Sequence, residues 1–131
     1  MAAKDITLDT HALIWYVDKP LKGKLSPIAL EAIREAERDG VIYIPAIVLM
    51  EVLDLVEKKR SSISFSRLIL GIEESASYRI VAIDGTVLKA TIPLKGLDIH
   101  DRLILATAML TDSALVSKDR EIHAIGVNVV W

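Results

Sequence analysis

The sequence contains no cysteine, which excludes disulfide bonds and metal sites built on thiolate ligands. No apolar run approaches the roughly 18 to 20 residues that a membrane-spanning helix needs. No hydrophobic signal region precedes the first acid, Asp5. Internal repeats, low-complexity segments and linker-like stretches are also missing. These absences lead us to expect a cytoplasmic protein with no membrane partner.

An excess of positive charge is missing too. The formal net charge is −2, whereas a protein that holds nucleic acid through charge alone is usually basic. If the substrate carries phosphate groups, local basic residues and a metal ion bound to acidic residues must hold it.

The length of 131 residues predicts a single domain, residues 1–131. A chain of this length buries roughly two thirds of its unfolded surface. The hydrophobic content of 52% is high for a soluble protein. Such a content is typical of a sheet covered on both faces, or of a surface that needs a partner.

Short apolar segments with the character of strands alternate with helical segments along the whole chain. Strands are predicted at residues 6–8, 41–44, 79–83, 114–116 and 128–131. Helices are predicted at 11–17, 27–40, 45–60, 65–73, 85–92 and 98–110, with a brief one after 119 that leads through Gly126, and residues 18–25 as a loop. This alternation predicts an α/β fold with three layers, α/β/α, around a parallel sheet of about five strands.

The segment 98–119 is the most informative part of the sequence. Two acids, Asp98 and Asp101, open an apolar helical run, and a turn at 111–113 leads into the short apolar strand 114–116. Asp119 follows that strand closely. Acids at the carboxyl ends of parallel strands lie where open α/β sheets bind their ligands.

Four acids fall at positions that this topology can bring together, namely Asp9, Glu51, Asp101 and Asp119. If the first and fourth strands are neighbours, Asp9 and Asp119 lie side by side at one edge of the sheet. Each acid also has a purely structural interpretation. Asp9 and Asp119 can cap helices, Asp98 and Asp101 fit a capping box, and Glu51 fits a solvated stripe.

Clustered carboxylates repel one another unless a cation neutralises them. Ligands that are all oxygen indicate a hard ion, Mg²⁺ or Mn²⁺. Such an ion activates water and stabilises charge on a phosphoryl oxygen. Hard-ion chemistry does not need imidazole, so the sequence assigns no direct role to the histidines, His11, His100 and His123.

Four sequence blocks resemble the PIN domain, and within it the VapC-type ribonuclease toxins of toxin–antitoxin pairs. They are ITLDTHALIW at the start, LMEV around Glu51, DIHDRLILATA around Asp101 and LVSKDREI around Asp119. The resemblance spans the chain, and the last two blocks are its specific part. The second block departs from the pattern, because Pro45 precedes a helix where a serine is common.

The resemblance implies an acidic metal site at Asp9, Glu51, Asp101 and Asp119. Asp98, Thr10 and Ser117 would lie next to these ligands and orient them without binding the metal themselves. It also implies a parallel sheet, a homodimer, and inhibition by a small antitoxin that covers the active site.

Together with the resemblance, these residues lead us to expect metal-dependent hydrolysis of single-stranded or loop RNA by water, which leaves a 5′-phosphate and a 3′-hydroxyl. The candidate phosphate contacts are basic residues near the predicted site or at the end of the third helix: Arg102, Lys118, Arg120, Lys58, Lys59 and Arg60. The last three equally suit a helix C-terminus. Trp15 and Tyr16 could stack on bases or pack in the core.

Other classes of protein share a doubly wound sheet and an acidic pocket. A receiver-type phosphotransfer domain could use Asp84 and Lys118, but it lacks paired acids after the first strand, where Thr10 and His11 follow Asp9. A dehalogenase-like phosphatase needs a second acid at position 11, which is histidine. A non-catalytic binding domain and a PIN nuclease of RNA maturation remain alternatives.

Overall fold

The computed structural model describes residues 5–125 and 128–131, with a five-stranded sheet at the centre. The strands lie in the order β3-β2-β1-β4-β5, and every pairing among them is parallel. Their bounds are β1 Ile6–Leu8, β2 Ile42–Pro45, β3 Tyr78–Val81, β4 Ala114–Val116 and β5 Val129–Val130. This sheet confirms the predicted parallel α/β architecture of about five strands.

Helices cover the sheet because its central strands are apolar on both sides. Every residue of β1 and β4 is buried, as expected for parallel strands that are packed on both faces. The helices are α1 Thr10–Val17, α2 Pro27–Asp39, α3 Ala46–Glu57, α4 Phe65–Glu74, α5 Gly85–Ala90, α6 Ile99–Leu110 and α7 Arg120–His123. Both α2 and α6 pack against β1 and β2. The hydrophobic core therefore lies around β1 and its two neighbours.

The start and end of α2 are explained by the residues found there. The Ser26 hydroxyl accepts a hydrogen bond from the Ala29 N–H at 3.0 Å, and Pro27 occupies the first helical position. Gly40 follows the last turn and donates its N–H to the Ala36 carbonyl. These three residues fix the bounds of the helix from local chemistry alone.

Two predictions of secondary structure are wrong. The segment predicted as a loop contains a short 3₁₀-helix, Lys19–Lys24, with Pro20 near its start. The third helix ends at Glu57 and not near Arg60, because Lys59 adopts the left-handed conformation with φ 58°. The Lys59 and Arg60 N–H groups then donate back to the carbonyls of Val56 and Leu55, which is a Schellman-type ending.

Smaller differences concern strand bounds and caps. β3 lies one to two residues earlier than predicted, and β5 is shorter. The Ser64 side chain precedes α4 but accepts no capping bond from the described residues. Pro45, predicted as the first residue of the third helix, instead ends β2. The predicted passage through Gly126 lies outside the described residues.

The register of β1 against β4 determines which residues follow the two strands at the same edge of the sheet. Leu8 pairs with Val116, so Asp9 and Ser117 follow at the same edge of the sheet. Beneath them, the buried hydroxyls of Thr7 and Ser113 are 2.6 Å apart and satisfy each other. Within the described residues, no helix has the length and apolar character needed to cross a bilayer.

Candidate active site

An open cleft of about 440 Å³ lies at the carboxyl ends of β1 and β4. Its acidic lining residues come from four separate parts of the chain: Asp9, Glu51, Asp101 and Asp119. The remaining lining residues are Thr10, His11, Trp15, Ile104 and Lys118. The four acids that the sequence selected therefore meet at one place, which is where neighbouring parallel strands direct their ligands.

Asp9 and Asp119 line the cleft and also cap helices. One oxygen of Asp9 accepts from the Ala12 N–H at 2.9 Å at the start of α1. One oxygen of Asp119 accepts from the Glu121 N–H at 2.8 Å at the start of α7. Since a carboxylate has two oxygens with several acceptor sites, the capping bond fixes its orientation without using its whole capacity. The structural and the chemical interpretations are thus compatible at both positions.

Ser117 lies fully buried behind this pair of acids. Its hydroxyl oxygen accepts from the Asp119 N–H at 3.0 Å, and its hydrogen bond to Asp9 lowers the pKa of that carboxyl. The resemblance assigned Ser117 a supporting role, and the structure places it in contact with both acids.

Glu51 reaches the cleft from the middle of α3 and has two polar neighbours. The Thr10 hydroxyl donates to its Oε1 at 2.7 Å. The His100 Nδ1 lies 3.4 Å from its Oε2. The sequence alone assigned His100 no direct role, although the position of His100 between Asp98 and Asp101 was a signal for one. Thr10 and His100 together hold the Glu51 carboxylate in the cleft.

Asp98 lies at the N-terminus of α6 and is exposed. Its carboxylate accepts from the His100 N–H at 2.8 Å and is 3.8 Å from the His100 ring. Asp98 therefore contacts His100, which in turn contacts Glu51. In the part of the chain that the structure describes, Asp98 does not line the cleft.

Burial and neighbouring negative charge raise the pKa of two of the clustered acids, Asp101 and Asp9. Burial raises the pKa of Asp101 to about 6, and the charges of Asp119, Asp98, Glu51 and Asp9 act in the same direction. Burial also raises the pKa of Asp9, with a contribution from Asp119, while hydrogen bonds from Ser117 and the Ala12 N–H lower it. Mutual repulsion of this kind is relieved when a cation binds.

The donor set fits a hard divalent ion. All four converging donors are carboxylates, the ligand type that Mg²⁺ and Mn²⁺ prefer. Across residues 5–125 and 128–131, no three carboxylate or imidazole groups stand close enough to form a complete cage. Mg²⁺ does not require one, because it keeps several waters and is usually held by one or two carboxylates.

The candidate phosphate-binding residues are not equally placed. Lys118 lines the cleft, and Arg120 is exposed at the start of α7. Arg102 donates to the Thr91 carbonyl at 2.8 Å and is directed toward the end of α5. Lys58, Lys59 and Arg60 lie at the end of α3, where Lys58 pairs with Asp54 at 2.8 Å. These four residues are not part of the cleft lining formed by the described residues.

Trp15 and Tyr16, adjacent on α1, face different cavities. Trp15 lines the acidic cleft together with His11, one helical turn earlier. Tyr16 lines a larger cavity of about 740 Å³, where its hydroxyl and that of Tyr78 both donate to Glu37. The larger cavity lies away from the four acids, so size does not identify the site here. The i, i+4 spacing of His11 and Trp15 was the signal for Trp15.

The receiver-type interpretation fails on placement. Asp84, its required phosphoacceptor, caps α5 by accepting from the Val87 N–H at 3.0 Å. Lys118 instead lines the cleft, and Asp84 is absent from the lining that the described residues form.

Comparison with known proteins identifies the family. The sequence model of the PIN domain matches residues 6–128, and no curated protein gives a significant match. Several solved structures match as well, and two of them are similar over almost the whole chain. A toxin–antitoxin complex from Klebsiella pneumoniae has a TM-score of 0.65 and 21% identity, over 99% of this chain and 97% of that one.

VapBC2 from Rickettsia felis, solved with a DNA fragment from its promoter, has a TM-score of 0.66 and 19% identity, over 95% of each chain. At such identities the two structures establish a shared fold. Because the family model covers most of the sequence, this chain belongs to the PIN domain family, whose members are nucleases.

Proposed function

We propose that this protein is a metal-dependent endoribonuclease and the toxin of a toxin–antitoxin pair. One observation carries the proposal: Asp9, Glu51, Asp101 and Asp119, distant in sequence, line one cleft at the carboxyl edge of the sheet. In a PIN domain, carboxylates that lie together and repel one another are expected to form the cation-binding site of a nuclease.

Each residue of the cleft has a separate proposed role in hydrolysis. Asp9, Asp101 and Asp119 are the proposed carboxylates for one or two Mg²⁺ or Mn²⁺ ions, each held by one or two of them with water completing its shell. Ser117 positions Asp9 and Asp119. When bound, the ion supplies Lewis-acid activation of water and of the phosphoryl group. Glu51, held by Thr10 and His100, orients the attacking water. Lys118 contacts a substrate phosphate from the same cleft.

The proposed reaction is hydrolysis of a phosphodiester bond in RNA. The water oxygen forms a bond to phosphorus, the bond from phosphorus to the 3′-oxygen breaks, and that oxygen takes up a proton. The products carry a 5′-phosphate and a 3′-hydroxyl. The ribose 2′-hydroxyl takes no part, so 2′,3′-cyclic phosphate ends would contradict the mechanism.

Both solved relatives are described as parts of toxin–antitoxin assemblies. Their shared fold supports a small antitoxin as the partner of this chain. A homodimeric state and a cytoplasmic location are further parts of the proposal.

Cleavage of end-labelled single-stranded RNA, with Mg²⁺ or Mn²⁺ and with EDTA, tests the activity. Asp9→Asn and Asp119→Asn should abolish cleavage while the helices persist, because asparagine also caps helix N-termini. Asp84→Asn is the matched control, since Asp84 has the same capping role outside the cleft. Full activity in EDTA, or equal loss in the control, would contradict the proposal.

A further inference from the structure

Trp15 forms one wall of the acidic cleft and is only half-buried. Its indole ring packs partly against the core and meets the edge of Trp131, at 5.9 Å between ring centroids and an angle of 61°. The His11 ring lies 5.5 Å away on the same helix. The core and the two flanking rings fix the orientation of the indole, while part of the side chain faces the cleft.

Two ammonium groups stand near this ring. The Lys24 Nζ lies 5.7 Å from a Trp15 ring centroid, and the Lys118 Nζ lies 6.0 Å away. Both distances are close to the outer limit of about 6 Å for a cation–π contact, so neither ammonium is held tightly against the ring. Lys24 comes from the 3₁₀-helix and Lys118 from the end of β4. Positive charge from two separate segments therefore gathers around one aromatic ring.

Trp15 lines the same cleft as the four acids. Asp9, six positions earlier in the sequence, caps the helix that carries Trp15. A protein with a net charge of −2 has no general attraction for RNA, so such a local group is needed to hold a strand beside the acids.

We propose that Trp15 is a stacking platform for an unpaired nucleobase next to the scissile phosphate, and that Lys24 and Lys118 hold the phosphates flanking that base. The inference rests on the proposed nuclease function and specifies its substrate. An aromatic platform accepts any base with a free face, which a duplex does not offer. The Trp15 subsite therefore takes an unpaired base, with little preference for the identity of that base.

Binding of fluorescently labelled single-stranded RNA to the Asp101→Asn protein, which should not turn over, tests this subsite. Trp15→Leu retains apolar bulk without a π-system and should weaken binding roughly 5- to 150-fold. Trp15→Phe should recover most of the affinity. Tyr16→Ala is the matched control, because the neighbouring aromatic faces the other cavity, and it should bind as the parent does.

An RNA series that lacks one base at successive positions provides a readout that a packing role would not change. The protein with Trp15 should lose affinity at one position in the series, and Trp15→Leu should be insensitive to base removal there. Equal sensitivity in both proteins, or equal weakening by Tyr16→Ala, would overturn the inference.

Cleavage by the unmodified protein separates the two proposals. Cleavage without any base-dependent position overturns the platform alone, whereas neither cleavage nor binding overturns both.

Discussion

At Asp101, burial and four neighbouring acids all oppose ionisation, and together they raise its pKa from 3.8 to about 6. Between these values the folded protein holds a proton that the unfolded chain has released. The free energy of unfolding should therefore fall as pH rises through this window when no divalent ion is present. Asp101→Asn should flatten this dependence and stabilise the metal-free protein at pH 7.

Urea unfolding in EDTA at pH 4, 5, 6 and 7 measures the effect. Asp84→Asn makes the same change at a helix cap outside the cleft and should retain the pH dependence of the parent protein. Mg²⁺ should raise the Tm of the parent at pH 7 more than that of Asp101→Asn, because an ion that binds only the folded state stabilises it. A parent protein that gains stability between pH 4 and 6 would disprove this account of Asp101.

Thr10 acts on Glu51 through one hydrogen bond of 2.7 Å. Thr10→Val keeps the shape of the buried side chain but removes the donor, so Glu51 loses the contact that orients it. We expect kcat to fall by roughly 10- to 100-fold, the usual cost of losing a partner behind a metal-site residue, with little change in KM. Thr10→Ser should restore activity. Steady-state kinetics on a short RNA would check this, and full activity in Thr10→Val would remove Thr10 from the mechanism.

At the scale of elements, the end of α3 gives a prediction about stability. Lys59 has φ 58°, a conformation that glycine adopts without steric cost. Lys59→Gly should therefore stabilise the protein by about 0.5–1 kcal/mol, whereas Lys59→Ala, which removes the charge but keeps the Cβ, should not. Chemical denaturation of both variants would measure the difference. Equal stability of the two variants would mean that the left-handed backbone at Lys59 costs nothing.

Some of the helices and strands could be predicted from the sequence, and others could not. Short apolar runs such as Ala114–Val116 predicted strands correctly because these strands are buried on both faces. The 3₁₀-helix Lys19–Lys24 contains proline, glycine and three lysines, a composition that resembles a loop. The early end of α3 depends on a left-handed lysine, which local propensity disfavours.

The candidate site was predictable for a different reason. Acids that follow strands are brought together by topology, so Asp9 and Asp119 could be placed once the sheet was inferred. The position of Trp15 beside the cleft depends on how α1 is rotated, which its buried face with Ala12, Leu13 and Ile14 sets. Trp15 also contacts Trp131 at the other end of the chain, and sequence spacing does not reveal that contact. Arg102 was a reasonable phosphate contact by position, but the rotamer that reaches the Thr91 carbonyl is not encoded in spacing.

At the scale of the whole molecule, the distribution of exposed apolar side chains bears on the proposed homodimer. Ile80, Ile83, Leu88 and Ile92 are all exposed, Ile92 to 63%, within one stretch that includes the edge strand β3 and α5. Neighbouring exposed apolar side chains are typical of surfaces that associate. We therefore expect light scattering at micromolar concentration to give twice the mass of one chain.

The double variant Leu88→Glu with Ile92→Glu should shift this equilibrium to the monomer, because two carboxylates would be buried without partners in the interface. Ile28→Glu is the matched control, since Ile28 is 65% exposed on α2 and lies far from this stretch in sequence. A control that dissociates as fully as the double variant would place the interface elsewhere. A parent protein that is monomeric at this concentration would refute the dimer itself, and the single-chain cleft would then have to act alone.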